Sequence, residues 1–173
     1  MTYNTEKLSR DGYIINQDLF AEFPYRTTTS DRNGCGWIAA YNLRHALGQD
    51  VYFDDVRSEL DEMHEEKKPG PTLMRIMRSY LDRYVPGFKE TGDREAVEAA
   101  AKSLAGIFRY TESGIPHFVA FVKAGNGAHD YRFFNVNDVV LDEVIDMYEF
   151  AEGHFLGDPV IALTVGNCSV PGH

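Results

Sequence analysis

Two side chains in this sequence, Cys35 and His117, could form a nucleophile and base pair. Cys35 follows the turn Asn33-Gly34 and precedes Gly36, at the start of a run of apolar residues at helical spacing. The first turn of a helix favours a thiolate, because its N–H groups are unpaired and the helix dipole is positive there. Cys35 is therefore a candidate nucleophile, and the flanking glycines would let a substrate backbone approach it. The alternative is a small buried hydrophobe.

His117 lies in a nearly continuous apolar run, residues 115–122, which predicts a buried strand. An imidazole is costly to bury unless its nitrogens are hydrogen-bonded. A thiolate could satisfy one nitrogen, and an orienting amide or carboxylate the other. The alternative is a core histidine that bonds a backbone carbonyl. The other five histidines fall in helices, loops or the C-terminus.

The hairpin after this strand offers two orienting groups. Residues 125–127, Gly-Asn-Gly, predict the turn, and residues 131–136 the returning strand. An odd number of loop residues would set Asn135 directly opposite His117, whereas a two-residue turn would point Asn135 away and favour Asp138. The glycines favour the odd loop. Asp138 is also expected to cap a following helix.

The elements that position these residues follow from periodicity. Helical spacing predicts helices over residues 35–47, 54–63, 73–84, 93–104 and 141–148. Strands are predicted over residues 107–110, 115–122, 131–136 and 159–165. Helices followed by antiparallel strands indicate the α+β class.

Length and composition indicate one globular domain over residues 1–173, with 43% hydrophobic and 13% aromatic residues. Residues 1–30 are expected to form an extended leader and residues 167–173 a loose tail. The formal net charge of −10 argues against a nucleic-acid partner.

The chain has two cysteines, Cys35 and Cys168, too few for a disulfide framework, and no apolar stretch of the ~20 residues that span a membrane. We therefore expect a cytoplasmic protein with free thiols and no membrane partner. No ligand spacing supports a metal site, and no cofactor is expected.

The order of these features resembles the papain-like cysteine peptidase superfamily, and most closely its compact bacterial branch, the peptidase C39 and C39-like domains. Residues 33–40 are similar to the Cys-Gly-small-apolar helix start of that branch, and residues 116–120 to its His-aromatic-Val strand. The likeness spans roughly residues 30–165. It implies a papain-like fold, in which an N-terminal helical half with a central cysteine-bearing helix packs on a C-terminal antiparallel β-sheet.

The resemblance also implies the roles of a Cys-His-Asn triad. Cys35 would be the nucleophile, His117 the general base and acid, and Asn135 the group that orients the imidazole. The reaction would be hydrolysis of a peptide or amide through a thioester. A catalytically weak papain-like fold that binds a peptide or another ligand is the alternative.

The chain departs from the family at the oxyanion site. These families usually place a glutamine five or six residues before the cysteine, and here Thr29 and Ser30 stand at those positions. An oxyanion donor is typically worth ~3 to 4 kcal/mol, so its loss would weaken catalysis. Asn33, together with the backbone N–H of Cys35, is the candidate replacement.

Overall fold

The computed structural model describes residues 5–136 and 143–166. Within these residues the chain forms six α-helices, a six-stranded antiparallel sheet and a small two-stranded ribbon, so the α+β class is confirmed. The helices are α1 (Ser30–Asn33), α2 (Cys35–Ala46), α3 (Phe53–Met63), α4 (Met74–Tyr84), α5 (Arg94–Ala101) and α6 (Met147–His154).

The ribbon consists of β1 (Pro24–Tyr25) and β2 (Thr28–Thr29). The large sheet consists of β3 (Lys89–Gly92), β4 (Ala105–Glu112), β5 (Ile115–Lys123), β6 (Asp130–Phe134), β7 (Val144–Asp146) and β8 (Ile161–Val165), in the order β3-β8-β4-β5-β6-β7. No helix in the described part of the chain is long and apolar enough to cross a membrane.

The two faces of β5 belong to two different cores. Phe118 and Ala120 are buried in a core that includes the apolar residues of α2, α3 and α4. Val119 and Phe121 are buried in a second core with residues of α5 and α6. This explains why residues 115–122 lack the alternation of a half-exposed strand: both faces of the strand are covered.

Helix α2 lies at the centre of the first core. Each residue from Cys35 to Leu43 is buried, because the small residues Gly36, Ala39 and Ala40 let neighbouring elements approach the helix closely. The predicted helices at 35–47, 54–63, 73–84 and 93–104 all have counterparts, in α2 to α5, with ends that differ by a few residues.

The structure differs from the predicted secondary structure at two places. Residues 144–146 form β7 and not part of a helix, and α6 begins only at Met147. The Asp146 carboxylate accepts hydrogen bonds from the N–H groups of Tyr148 and Glu149, which sets the start of α6. The sequence pattern does not predict β3, because Lys89–Gly92 is a short, polar strand, paired with β8 at the edge of the described sheet.

The N-terminal segment is held tightly against the domain. Its Tyr13 ring stacks on Phe134 of β6 at a centroid distance of 3.9 Å. Asn42 of α2 is fully buried and accepts from the Ile14 N–H at 2.8 Å, while its amide donates to the Ile14 carbonyl at 2.9 Å. The segment therefore joins the helical half to the sheet.

We expect Asn42→Ala to lower the free energy of unfolding by about 2 to 3 kcal/mol, because it leaves a buried N–H and a buried C=O of Ile14 without partners. Urea unfolding would measure this loss. Asn126→Ala, at an exposed turn, is the matched control and should change stability by less than about 0.5 kcal/mol. Equal stability of the two variants would contradict this account of the segment.

Candidate active site

A cleft of about 300 Å³ contains both Cys35 and His117. It lies where the start of α2 meets the ends of β4 and β5. Its polar lining includes Gln17, Asp31, Asn33 and Glu112. The structure therefore brings together the predicted nucleophile, the predicted base and the predicted oxyanion donor.

Cys35 is the first residue of α2 and is 4% exposed. Burial raises the pKa of its thiol to about 11, although the backbone N–H groups of Phe118, Gly36 and Cys35 itself favour the thiolate. The helix N-terminus alone predicts a lowered pKa. That expectation is wrong in direction, because desolvation of the charged sulfur outweighs the nearby donors.

The glycines beside Cys35 serve packing within the chain. A Cβ on Gly34 would collide with the Ser30 carbonyl, and a Cβ on Gly36 would collide with the Thr72 side chain. Both glycines are buried. The flanking glycines are thus required by the close approach of α1 and Thr72, and this requirement accounts for them without a substrate.

His117 is buried, at 3% exposure, and its Nε2 lies 3.0 Å from the backbone carbonyl of Asn135. A carbonyl only accepts, so Nε2 carries the proton and Nδ1 retains its lone pair. Burial lowers the pKa of His117 to about 4, against the opposing effect of the Asn135 carbonyl. The ring also meets its cross-strand partner Tyr110 edge-on, with centroids 5.8 Å apart.

At neutral pH, Cys35 and His117 are both uncharged, because their pKa values lie near 11 and near 4. Among the described residues, no hydrogen bond joins the sulfur to the imidazole. His117 shares its face of β5 with Val119, whereas Cys35 belongs to the core on the opposite face. The two side chains thus reach one cleft from different sides of the strand.

Asn135 contacts His117 in a way that differs from the prediction. Ala120 pairs with Phe134, so Asn135 lies beyond the paired part of β6 and in line with Val119. The number of residues between the first paired residues, Lys123 and Tyr131, is odd as predicted, but it is seven, residues 124–130, and the expected pairing of Asn135 opposite His117 is wrong. Asn135 reaches the imidazole with its backbone carbonyl, not its side chain.

The long loop has a clear physical cause in the Asp130 side chain. Its carboxylate accepts from the Gly127 N–H at 2.8 Å, and Lys123 donates to the Gly127 carbonyl at 2.6 Å. These bonds hold the turn together beyond the last hydrogen-bonded pair of the two strands, so the first pair of the hairpin is Lys123 with Tyr131.

The side chain of Asn135 bonds Gln17, a residue that the sequence did not single out. The Gln17 N–H donates to Asn135 Oδ1 at 2.8 Å, and Asn135 Nδ2 donates to Gln17 Oε1 at 3.0 Å. Gln17 also lines the cleft. No spacing rule relates residue 17 to residue 135, so sequence patterns offered no signal for this contact.

Asn33 remains the candidate oxyanion donor. Asn33 lines the cleft, and its Nδ2 is buried without a hydrogen-bond partner among the described residues, so this amide has an unused donor. Ser30, by contrast, is fully buried, and its hydroxyl accepts from the Trp37 indole N–H at 3.0 Å. Ser30 therefore has a structural role, which is to hold the Trp37 side chain in the core.

The alternative orienting residue, Asp138, lies outside the described residues, as does the second cysteine, Cys168. Within residues 5–136 and 143–166, no three His, Cys, Asp or Glu side chains come close enough to hold a metal ion.

No protein-family model matches the chain, and no curated protein matches it. The interpretation of the cleft therefore depends on its own residues.

Proposed function

We propose that this protein is a papain-like cysteine hydrolase, a peptidase or amidase that acts through a thioester. The observation that carries the proposal is the meeting of Cys35, at the start of a central helix, with His117 in one cleft. A helix packed against an antiparallel sheet, and the chain order Cys, His, Asn, support it as well. Cys35 is a free thiol, which suits a reducing compartment, so we propose a cytoplasmic location.

In the first half of the reaction, Cys35 Sγ attacks the substrate carbonyl carbon while its proton passes to Nδ1 of His117. The oxygen becomes an oxyanion, which the Cys35 N–H and Asn33 Nδ2 stabilise. The C–N bond then breaks, and the imidazolium returns its proton to the leaving amine. A thioester remains on Cys35.

In the second half, water attacks the thioester and gives up its proton to Nδ1 of His117. The C–S bond breaks, a carboxylic acid leaves, and the sulfur takes the proton back. Throughout, the Asn135 carbonyl holds the Nε2 proton, and it also stabilises the imidazolium that forms transiently.

The rate of iodoacetamide alkylation at Cys35 tests this pair, with peptide mass spectrometry to separate Cys35 from Cys168. We expect a flat rate from about pH 5 to pH 9, because neutral His117 removes the thiol proton during attack. The rate should fall near pH 4, as His117 becomes protonated. His117→Ala should lose the flat region and react at least about tenfold more slowly at pH 7.

His129→Ala, a histidine of the β5–β6 loop outside the cleft, is the matched control and should keep the native profile. If the alkylation profile of His117→Ala equals that of the native protein, the enzyme proposal is wrong.

A second candidate function is a binding domain of the same fold. Three observations favour it: the raised pKa of Cys35, its 4% exposure, and, among the described residues, the lack of a hydrogen bond from sulfur to imidazole. An ordinary thiol profile in the alkylation experiment, together with retained affinity for a peptide ligand in Cys35→Ala, would support this candidate.

A further inference from the structure

Gln17 connects the two sides of the cleft through its side-chain amide. Its Oε1 accepts from Asn135 Nδ2 at 3.0 Å, and its Nε2 donates to the Asp31 carbonyl at 2.8 Å. Asn135 holds the imidazole, and Asp31 lies in the short helix just before Cys35. The Gln17 amide thus bonds both Asn135, whose carbonyl contacts His117, and the short helix that precedes Cys35.

We propose that Gln17 is a positioning residue, which fixes His117 relative to Cys35 through Asn135. The inference rests on the proposed function, since it concerns the same Cys35 and His117 pair. Gln17 acts through Asn135 and needs no contact with the reacting atoms.

The backbone conformation of Asn135 makes its side-chain bonds important. Its φ is +62°, in the left-handed region, which asparagine adopts more readily than other residues with a side chain because its amide can form hydrogen bonds nearby. The direction of its carbonyl, and so the bond to His117 Nε2, depends on this conformation. Two hydrogen bonds to Gln17, one accepted by Oδ1 and one donated by Nδ2, stabilise it.

Gln17 is itself held by a well-anchored segment. The preceding residues pack through Tyr13 on Phe134 and through Ile14 on the buried Asn42. Asp11 pairs with Arg132 of β6 at 2.5 Å. Because these contacts fix the segment on both α2 and β6, Gln17 has a rigid base from which to hold Asn135.

The test is the pH profile of iodoacetamide alkylation at Cys35 in Gln17→Ala. Gln17→Ala removes the bond from Asn135 Nδ2 but keeps the backbone N–H that donates to Asn135 Oδ1. We expect the flat region at neutral pH to drop about fivefold, because the imidazole is held less firmly in the orientation that the attack needs. Alkylation passes through no oxyanion, so this readout reports the alignment of the pair and not donation to a substrate oxygen.

Two further variants sharpen the test. Asn135→Gly keeps the backbone carbonyl and tolerates a positive φ, but it removes the bonds to Gln17. It should lower the rate at least as much as Gln17→Ala does, and the double variant Gln17→Ala/Asn135→Gly should be no slower than Asn135→Gly alone. If Gln17→Ala fails to fold, Asn135→Gly alone carries the test.

Gln49→Ala is the matched control. Gln49 also makes one accepted and one donated side-chain bond, with Arg44 at 2.7 Å and the Tyr84 carbonyl at 2.8 Å, away from the cleft. Its alkylation profile should match that of the native protein. Urea unfolding of both glutamine variants would correct for any general loss of stability.

These experiments distinguish failure of the proposed function from failure of the positioning role of Gln17. If His117→Ala leaves the native profile unchanged, the proposed function is wrong, and the positioning role with it. If His117→Ala removes the flat region but Gln17→Ala behaves like Gln49→Ala, only the positioning role is overturned. The same holds if Gln17→Ala slows turnover of an amide substrate while alkylation stays native, since Gln17 would then act on the substrate oxygen.

Discussion

Gly36→Ala is expected to lower the free energy of unfolding by about 3 kcal/mol. A Cβ at this position would overlap with Oγ1 and Cβ of Thr72, which is 3% exposed. The Thr72 hydroxyl bonds the phenolic oxygen of the fully buried Tyr25 at 2.6 Å, so it has no free direction in which to retreat. Overpacking costs typically about 1 to 3 kcal/mol, and the broken hydrogen bond adds about 1 kcal/mol.

Gly153→Ala supplies the control, because a Cβ on Gly153 of α6 meets nothing within 4 Å. In a helix, alanine is favoured over glycine by up to ~1 kcal/mol, so this variant should be as stable as the native protein or slightly more. Urea unfolding compares the two. A stable Gly36→Ala protein that had lost only its activity would contradict the packing role and restore the expectation that Gly36 admits a substrate backbone.

The sequence predicted the helices around the site because their signals are local. The apolar stripe of α4 and the small apolar residues of α2 mark the buried face of each helix. Their spacing follows from the helical period, which does not depend on the rest of the fold. Cys35 at a helix start and His117 in a buried strand followed from the same patterns. Both were therefore found without knowledge of the tertiary structure.

The contacts between distant segments could not be predicted in the same way. The pairing register of β5 and β6 depends on how the Asp130 carboxylate closes the loop, and a shift of two residues leaves the alternation of faces unchanged. The bond between Gln17 and Asn135 joins residues more than a hundred positions apart. The raised pKa of Cys35 likewise depends on burial by the whole fold, which outweighs the local helix terminus.

Acidification is expected to destabilise the protein through His117. The pKa of this histidine falls from an ordinary 6.5 to about 4 in the folded state, chiefly because the ring is buried. Between these values the unfolded chain binds a proton that the folded chain does not, so stability falls as the pH drops from about 6.5 to about 4. A shift of this size corresponds to about 3 kcal/mol, and the 3% exposure of His117 leaves little room for solvent screening.

Urea unfolding at pH 7.5 and pH 4 would measure this loss, and His117→Gln isolates it. The variant should lose about 3 kcal/mol less between the two pH values than the native protein, whatever its stability at pH 7.5. His64, whose pKa is also lowered by burial, acts in the same direction and remains in both proteins, so it cancels in the comparison. The pKa of the Asp11 carboxyl lies near 2, so the stability that this carboxylate provides is lost mainly below pH 4. If the free energy of unfolding depended equally on pH in the two proteins, His117 would bind its proton as readily in the folded chain as in the unfolded one. That result would contradict a neutral imidazole buried beside the Asn135 carbonyl.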